Sequence, residues 1–398
     1  LLSLIEIGAI GGGSELSIDD RQINNQQTNQ QSKIVKSTMV RLSEIPTPAL
    51  IVDVAALDRN IARMAAFFAA GPCRLRPHFK AHKTPEIARR QLAAGSCVGI
   101  TCATVAEAEV AAALCDDLLI ANEIVSPDKC ARVAALARQV AVTVAVDSAT
   151  GIDAMASASR SAGVAIGVLI DVNVGQGRCG VEPGKAALAL ARRAASVAGL
   201  TVRGVMGYEG HLQPLRDRAE REARTHAAMD ELVESARRIR AEGIGCEVVS
   251  SGGTGTYDIS GRVDGVTEIQ AGSYALMDTD YGSVGVPFDQ AFFVLGTIVS
   301  RPSSERCVAD CGHKSMTKDH GHPSVRGLAG ATVTALNDEH AVIAVPASCP
   351  LVIGDRVQLI PSHTDPTVNL HDVFYAVDGD RVVGVWPIAA RGYAEHRS

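Results

Sequence analysis

The apolar positions divide the chain into two patterns. From Ala49 to about Met277, short β-branched or apolar runs alternate with Ala-rich stretches whose apolar residues recur at helical spacing. The runs Arg74–His78, Val98–Thr101, Leu118–Ala121, Val140–Val146, Ala165–Val172, Thr201–Gly207, Cys246–Ser250 and Gly265–Gln270 predict strands. Asp58–Ala69, Pro85–Ala94, Val105–Leu114, Asp128–Arg138 and Gly184–Ala198 predict helices between them, and the charge-rich Arg216–Arg240 predicts an exposed one. Strands alternating with helices call for a parallel sheet, because parallel neighbours need a crossover. Eight such units in roughly 230 residues predict a (β/α)8 barrel of the TIM type. A doubly wound open sheet would want a Gly-rich turn after its first strand, and none follows Arg74–His78.

After Val286 the helical spacing disappears. Val294–Val299, Thr332–Ala335, His340–Val345, Arg356–Ile360, Val373–Val377 and Arg381–Val385 predict short strands, with hairpin tips at Asn337-Asp338 and Asp378-Gly379. The expected organisation is a leader over 1–38, an N-terminal strand over 39–48 that joins the β domain, a barrel over 49–285, and an all-β C-terminal domain over 286–398.

Composition narrows the classes. Of 398 residues, 46% are hydrophobic and 21% charged, enough apolar mass for a core. No apolar run reaches the roughly 20 residues of a membrane span. The net charge of −6, with no basic block, leaves no electrostatic footprint for nucleic acid and favours a small-molecule partner. Residues 22–31 read QINNQQTNQQ, so the leader reads as an extension outside both domains. Its apolar start contains Glu6 and lacks a basic flank, unlike a signal peptide. Ten scattered cysteines without a C-x-x-C pair read as reduced thiols in a cytoplasmic protein.

In a barrel, chemistry gathers where strands end. RPHFKAHK puts Lys80 just after the first strand. Arg178 follows the fifth, and GYEGH, with Tyr208 and His211, follows the sixth. SSGGTGTY follows the seventh and QAGSY the eighth. Gly252 and Gly253 let backbone N–H groups approach an anion, Thr254 adds a hydroxyl, and Gly272-Ser273 makes a second turn of that kind. Each feature alone is also what a tight turn or a solvated lysine looks like. Together, an amine facing a phosphate cradle is what pyridoxal phosphate requires. In PSHTDPTVN, His363 and Asp365 stand two apart, so they either share one metal or shape a turn.

These motifs, in this order from Met39 to the C-terminus, resemble the D-threonine aldolase and D-serine dehydratase family of fold-type III pyridoxal-phosphate enzymes, with the alanine racemase fold. The resemblance implies that Lys80 bonds to the cofactor and that Lys83 is structural. It places Arg178 near the phenolic oxygen, Tyr208 against the pyridine face, and Gln270 where racemases set an arginine at the ring nitrogen. The phosphate falls to Gly252, Gly253, Thr254, Gly272 and Ser273. His363 and Asp365 are implied to hold one divalent metal beside the substrate hydroxyl. The dehydratases carry cysteine where Asp365 stands, and oxygen in place of sulfur points to Mn²⁺ or Mg²⁺ rather than Zn²⁺. The implied reaction is retro-aldol cleavage of a D-β-hydroxy-α-amino acid to glycine and an aldehyde, with water or a histidine such as His211 as base. The alternatives are D-serine or 3-hydroxy-D-aspartate dehydration to a keto acid and ammonia, and 3-hydroxy-D-aspartate aldol cleavage. DCGHKSMTKDHG is expected to shape the mouth, with His320 and His322 solvated. A head-to-tail homodimer is also implied, in which His363 and Asp365 would face the partner's Lys80.

Overall fold

The computed structural model describes residues 40–392, so the expected leader lies outside the described residues. At the start of that range the strand expected over 39–48 is displaced. Leu42–Glu44 form a single 3-10 turn, and the strand is β1, Ala49–Asp53. Pro46 and Pro48 offer no N–H to a ladder, so pairing begins only beyond them. β1 lies antiparallel to β10 (Phe292–Ser303) and parallel to β16 (Val373–Asp378), which makes it a strand of the C-terminal sheet. The Asp53 carboxylate then accepts the Ala56 N–H at 3.1 Å and starts α1 (Val54–Ala69), which enters the barrel.

The barrel strands are β2 (Arg74–Leu75), β3 (Ile100–Cys102), β4 (Asp117–Glu123), β5 (Ala141–Val146), β6 (Ile166–Asp171), β7 (Leu200–Met206), β8 (Val248–Ser251) and β9 (Glu268–Ile269). All pair in parallel, in the order β2-β9-β8-β7-β6-β5-β4-β3. The two ends meet. Parallel bridges join Leu75 to Cys97 and His78 to Thr101, and the Thr101 N–H donates to Pro77 O at 3.0 Å. This closure rules out the open doubly wound sheet. β2 stops short of the expected His78 because Pro77 interrupts its donors.

Outside run α2 (Pro85–Ala93), α3 (Val105–Ala111), α4 (Pro127–Leu136), α5 (Ala149–Ala162), α6 (Lys185–Ala195) and α7 (Arg218–Ala241). α7 exposes i,i+4 pairs such as Arg224–Glu220 and Arg238–Glu234, and buries Met229, Leu232, Val233, Ala236 and Ile239.

The C-terminal sheet also contains β11 (Arg306–Ala309), β12 (Ser324–Val325), β13 (Thr332–Leu336), β14 (Ala341–Ala344), β15 (Arg356–Ile360) and β17 (Arg381–Pro387). β11 and β12 were not expected; both are short, and β11 pairs back onto a β10 twice as long as the apolar run suggested. Three one-turn helices complete the fold: α8 (Tyr257–Ser260), α9 (Thr279–Gly282) and α10 (Thr364–Val368). Met64, Tyr274, Phe292 and Phe374 belong to one continuous apolar cluster that joins barrel and sheet. That shared core sets the loop between β15 and β16 over the barrel mouth.

Candidate active site

A cavity of about 560 Å³ opens at the C-terminal ends of the barrel strands, and every residue singled out as a cofactor or metal contact lines it. After β2, a 3-10 turn over Phe79–Ala81 buries Phe79 and sends Lys80 into the cavity. The neighbours in that motif do other work. His82 is buried; its Nδ1 accepts the Thr84 N–H at 3.1 Å, so Nε2–H donates to Gln91 Oε1, and burial pushes its imidazole down to about 4. Lys83 Nζ lies 2.5 Å from the buried Glu107 carboxylate. His78 lines the cavity, and its Nδ1 has no partner. Burial, then the charges of Lys80 and Lys83, holds this imidazole well below its usual range and therefore neutral.

The first glycine turn is held from behind by a residue the sequence did not single out. Glu209 is wholly buried; it accepts the hydroxyls of Ser251 at 2.9 Å, Thr256 at 2.5 Å and Ser260 at 2.8 Å, and the Gly252 N–H at 3.3 Å. Thr254 Oγ1 accepts the Tyr274 N–H at 2.9 Å and so ties the strand-8 turn to the strand-9 turn. Gly272 packs so closely that a Cβ would lie 2.7 Å from His78 O. Replacing Glu209 by alanine would leave its hydroxyl donors without their acceptor. A loss of about 2–4 kcal/mol is expected, read as a lower urea midpoint at unchanged slope. Glu209→Gln, which keeps one acceptor oxygen, is expected to lose less.

Across the mouth, the Arg178 guanidinium lies 5.8 Å from the Tyr208 ring centroid. Burial, then Glu209 and Asp365, pushes the Tyr208 phenol up, so it keeps its proton. Gln270 Nε2–H donates to Ser250 Oγ at 2.8 Å. The buried Asp171 faces the same cavity, and burial together with Glu123 pushes its carboxyl up to about 8. The folded protein therefore binds a proton that the unfolded chain releases near pH 4. Stability from this group is present below about pH 4 and is lost as pH rises through about 8. Urea unfolding at pH 5 and pH 8 is expected to show that decline, and Asp171→Asn to flatten it.

The expected metal motif sits at the start of α10. Thr364, which had no evident task in the sequence, donates both its N–H and its hydroxyl to Asp278 Oδ2 at 2.8 Å. Asp278 is itself buried beneath the mouth, so this pair pins the motif to the barrel. Asp365 Oδ2 lies 3.8 Å from Lys80 Nζ. Both residues belong to one chain, which corrects the expectation that His363 and Asp365 would meet the partner's Lys80. Asp365 Oδ1 is buried and has no hydrogen-bond partner among the described residues. His363 Nδ1 meets Asp319 Oδ2 at 2.7 Å.

The first unit matches the family described as alanine racemase, N-terminal domain, over residues 52–280, and residues 291–377 match the putative serine dehydratase domain. A D-threonine aldolase of Arthrobacter sp. is 41% identical over 359 residues, 89% of this chain and 94% of that protein. The chain belongs to the D-threonine aldolase and D-serine dehydratase family. A 3-hydroxy-D-aspartate aldolase of Paracoccus denitrificans (strain Pd 1222) is 37% identical over 361 residues, 88% of this chain and 93% of that one. The crystal structure of a D-threonine aldolase from Filomicrobium marinum superposes with a TM-score of 0.87 at 39% identity, covering 89% of this chain and 98% of that one.

One expectation fails in this family member. His211 does not line the cavity; its ring packs so near Gly175 that a Cβ there would lie 3.2 Å from it. His320 and His322 are exposed, as expected, but His320 also lines the cavity and stacks on His363, with centroids 4.2 Å apart. His322 turns away to Val333 O at 3.0 Å. Donor atoms of Asp319, His320 and His363 lie within 4.8 Å of one another. The run DHGH was the signal for Asp319 and His320, but nothing local sets it opposite a motif more than 40 residues on.

Proposed function

We propose that the enzyme cleaves D-β-hydroxy-α-amino acids, D-threonine among them, to glycine and an aldehyde, using pyridoxal phosphate and one divalent metal. The observation that carries this reading is the 3.8 Å approach of Lys80 Nζ to Asp365 Oδ2 inside the cavity walled by both glycine turns.

The residues fit both groups. Among the described residues, the N–H groups of Thr254, Gly272 and Ser273 donate to no protein acceptor, which leaves them for a phosphate. Thr254, Gly272 and Ser273 would hold that phosphate, while Gly252 and Gly253, whose N–H groups donate to Glu209 Oε2 and Thr256 Oγ1 at 3.3 Å, would shape the turn around it. Lys80 would hold the aldehyde carbon, Arg178 the phenolic oxygen, Tyr208 the ring face and Gln270 the ring nitrogen. The unpartnered Asp365 Oδ1 and the imidazole of His363 would hold the metal. One carboxylate and one imidazole suit Mn²⁺ or Mg²⁺ better than Zn²⁺. When bound, pyridoxal phosphate supplies an electron-accepting ring and the metal supplies positive charge at the substrate hydroxyl.

The chain's own groups do the rest. Lys80 Nζ holds or releases a proton next to Asp365. Asp278 and Thr364 keep the metal motif at a fixed distance from the barrel. Tyr208 stays neutral and packs rather than ionises. With His211 outside and His363 given to the metal, a histidine base for the hydroxyl proton would come from the cavity's other imidazoles, His78 or His320.

Dehydration would use the same residues; Asp365, an oxygen donor where the dehydratases carry sulfur, favours cleavage. Incubation with D-threonine, D-serine and D-3-hydroxyaspartate separates the readings. Glycine with acetaldehyde from D-threonine is the expected product pair. Pyruvate and ammonia from D-serine, without glycine from D-threonine, would overturn it. The ten unpaired thiols support a reducing, cytoplasmic setting. A homodimer, as the family resemblance implies, would cover the exposed Arg178 and Asp319 at the mouth.

A further inference from the structure

Both stacked imidazoles at the mouth give Nδ1 to a carboxylate. His320 Nδ1 lies 2.9 Å from Asp280 Oδ2, and His363 Nδ1 lies 2.7 Å from Asp319 Oδ2, with the two rings 12° from parallel. Asp319 uses both oxygens in hydrogen bonds within the protein. Its Oδ1 accepts the Thr317 hydroxyl at 2.7 Å and the His320 N–H at 3.1 Å, while Oδ2 takes His363. The segment from Thr317 to His320 is also laced to α10: the Thr317 N–H donates to Thr367 Oγ1 at 3.2 Å, and the Thr367 hydroxyl donates to His363 O at 2.8 Å. The ring of His363 is thus held directly by this loop, and its backbone through Thr367.

An ionised carboxylate only accepts hydrogen bonds, so the nitrogen facing Asp319 carries the proton, and in the neutral imidazole, the form that binds a metal, the other nitrogen carries the lone pair. We propose that Asp319 is a positioning residue that fixes His363 as the Nδ1–H tautomer and thereby presents Nε2 to the metal. This rests on the metal reading above. The three-donor cluster of Asp319, His320 and His363 would also allow Asp319 to be a ligand itself, but its oxygens already meet three donors, and a carboxylate engaged in that way orients a neighbour.

Mn²⁺ affinity of the protein, measured by competition against a chelator, tests the proposal together with ¹⁵N spectra of histidine-labelled, metal-free protein. His363 is identified by the signal that His363→Gln removes. In the unmutated protein its Nδ1 is expected to carry the proton. Asp319→Ala is expected to weaken Mn²⁺ binding by about ten- to a hundredfold and to mix the tautomers. Asp319→Asn keeps an acceptor oxygen and is expected to stay within a few-fold of the original affinity. Unchanged binding in Asp319→Ala, an Nε2–H tautomer in the original protein, or equal losses in the alanine and asparagine variants would each overturn the proposal. If the unmutated protein binds no Mn²⁺, the metal reading fails, and the tautomer measurement still decides the role of Asp319.

Discussion

Lys80→Ala is expected to lower turnover by about a thousandfold or more while moving the melting temperature by no more than about 2 °C. The two readouts separate because the side chain lines the proposed cofactor cavity and is marginal in structure. It is 38% exposed, and its one ion pair, to Asp365, is 3.8 Å long and partly solvated, worth about 0–1 kcal/mol. The remainder of the motif holds the turn without it: Phe79 is buried, His82 is bound on both ring nitrogens, and Lys83 pairs with Glu107. The visible band of lysine-bonded pyridoxal phosphate should vanish in the variant. A variant that keeps that band would show that another amine holds the cofactor, and the assignment of Lys80 would fall. Lys83→Ala is the informative contrast. It strands the buried Glu107 carboxylate, so it should cost stability before it costs chemistry.

The barrel was legible because its signals are local and repeated. Most strand runs are short and β-branched or apolar, and most helices carry their own period and start. Pro85 and Pro127 open α2 and α4, and Gly163, at φ +66°, closes α5. Strand ends were less legible where tertiary bridging decides them, as at Pro77. The catalytic candidates Lys80, His363 and Asp365 could be singled out because each sits in a compact motif. Glu209, Asp278 and Asp319 could not. Each works by accepting donors from distant segments, for example Ser260 for Glu209 and Thr364 for Asp278. A carboxylate that will end up with such donors looks the same in sequence as one that will face water. The order of motifs pointed to the groups that line the cavity. Only the fold reveals the acids that hold those groups still.

Asp365→Ala is expected to bind Mn²⁺ at least about a hundredfold more weakly and to lose activity at least in that proportion, with no loss of folding stability. The second half of this prediction follows from the unpartnered Oδ1. A buried carboxylate oxygen without a donor carries a desolvation cost of roughly 1–3 kcal/mol, so removing it relieves a cost instead of creating one. A residue kept for packing would behave in the opposite way. Stability that is unchanged or higher, alongside lost metal affinity, is the signature of a group retained for its ligand. Chelation of the unmutated enzyme should abolish turnover, and Mn²⁺ should restore it. Asp365→Cys extends the argument, because a thiolate is a softer donor and should shift the preference of the site toward Zn²⁺. If the alanine variant binds Mn²⁺ as tightly as the original protein, Asp365 is no ligand. The motif would then be a structural turn, held by Asp278 and Asp319, in which Asp365 contributes an ion pair with Lys80.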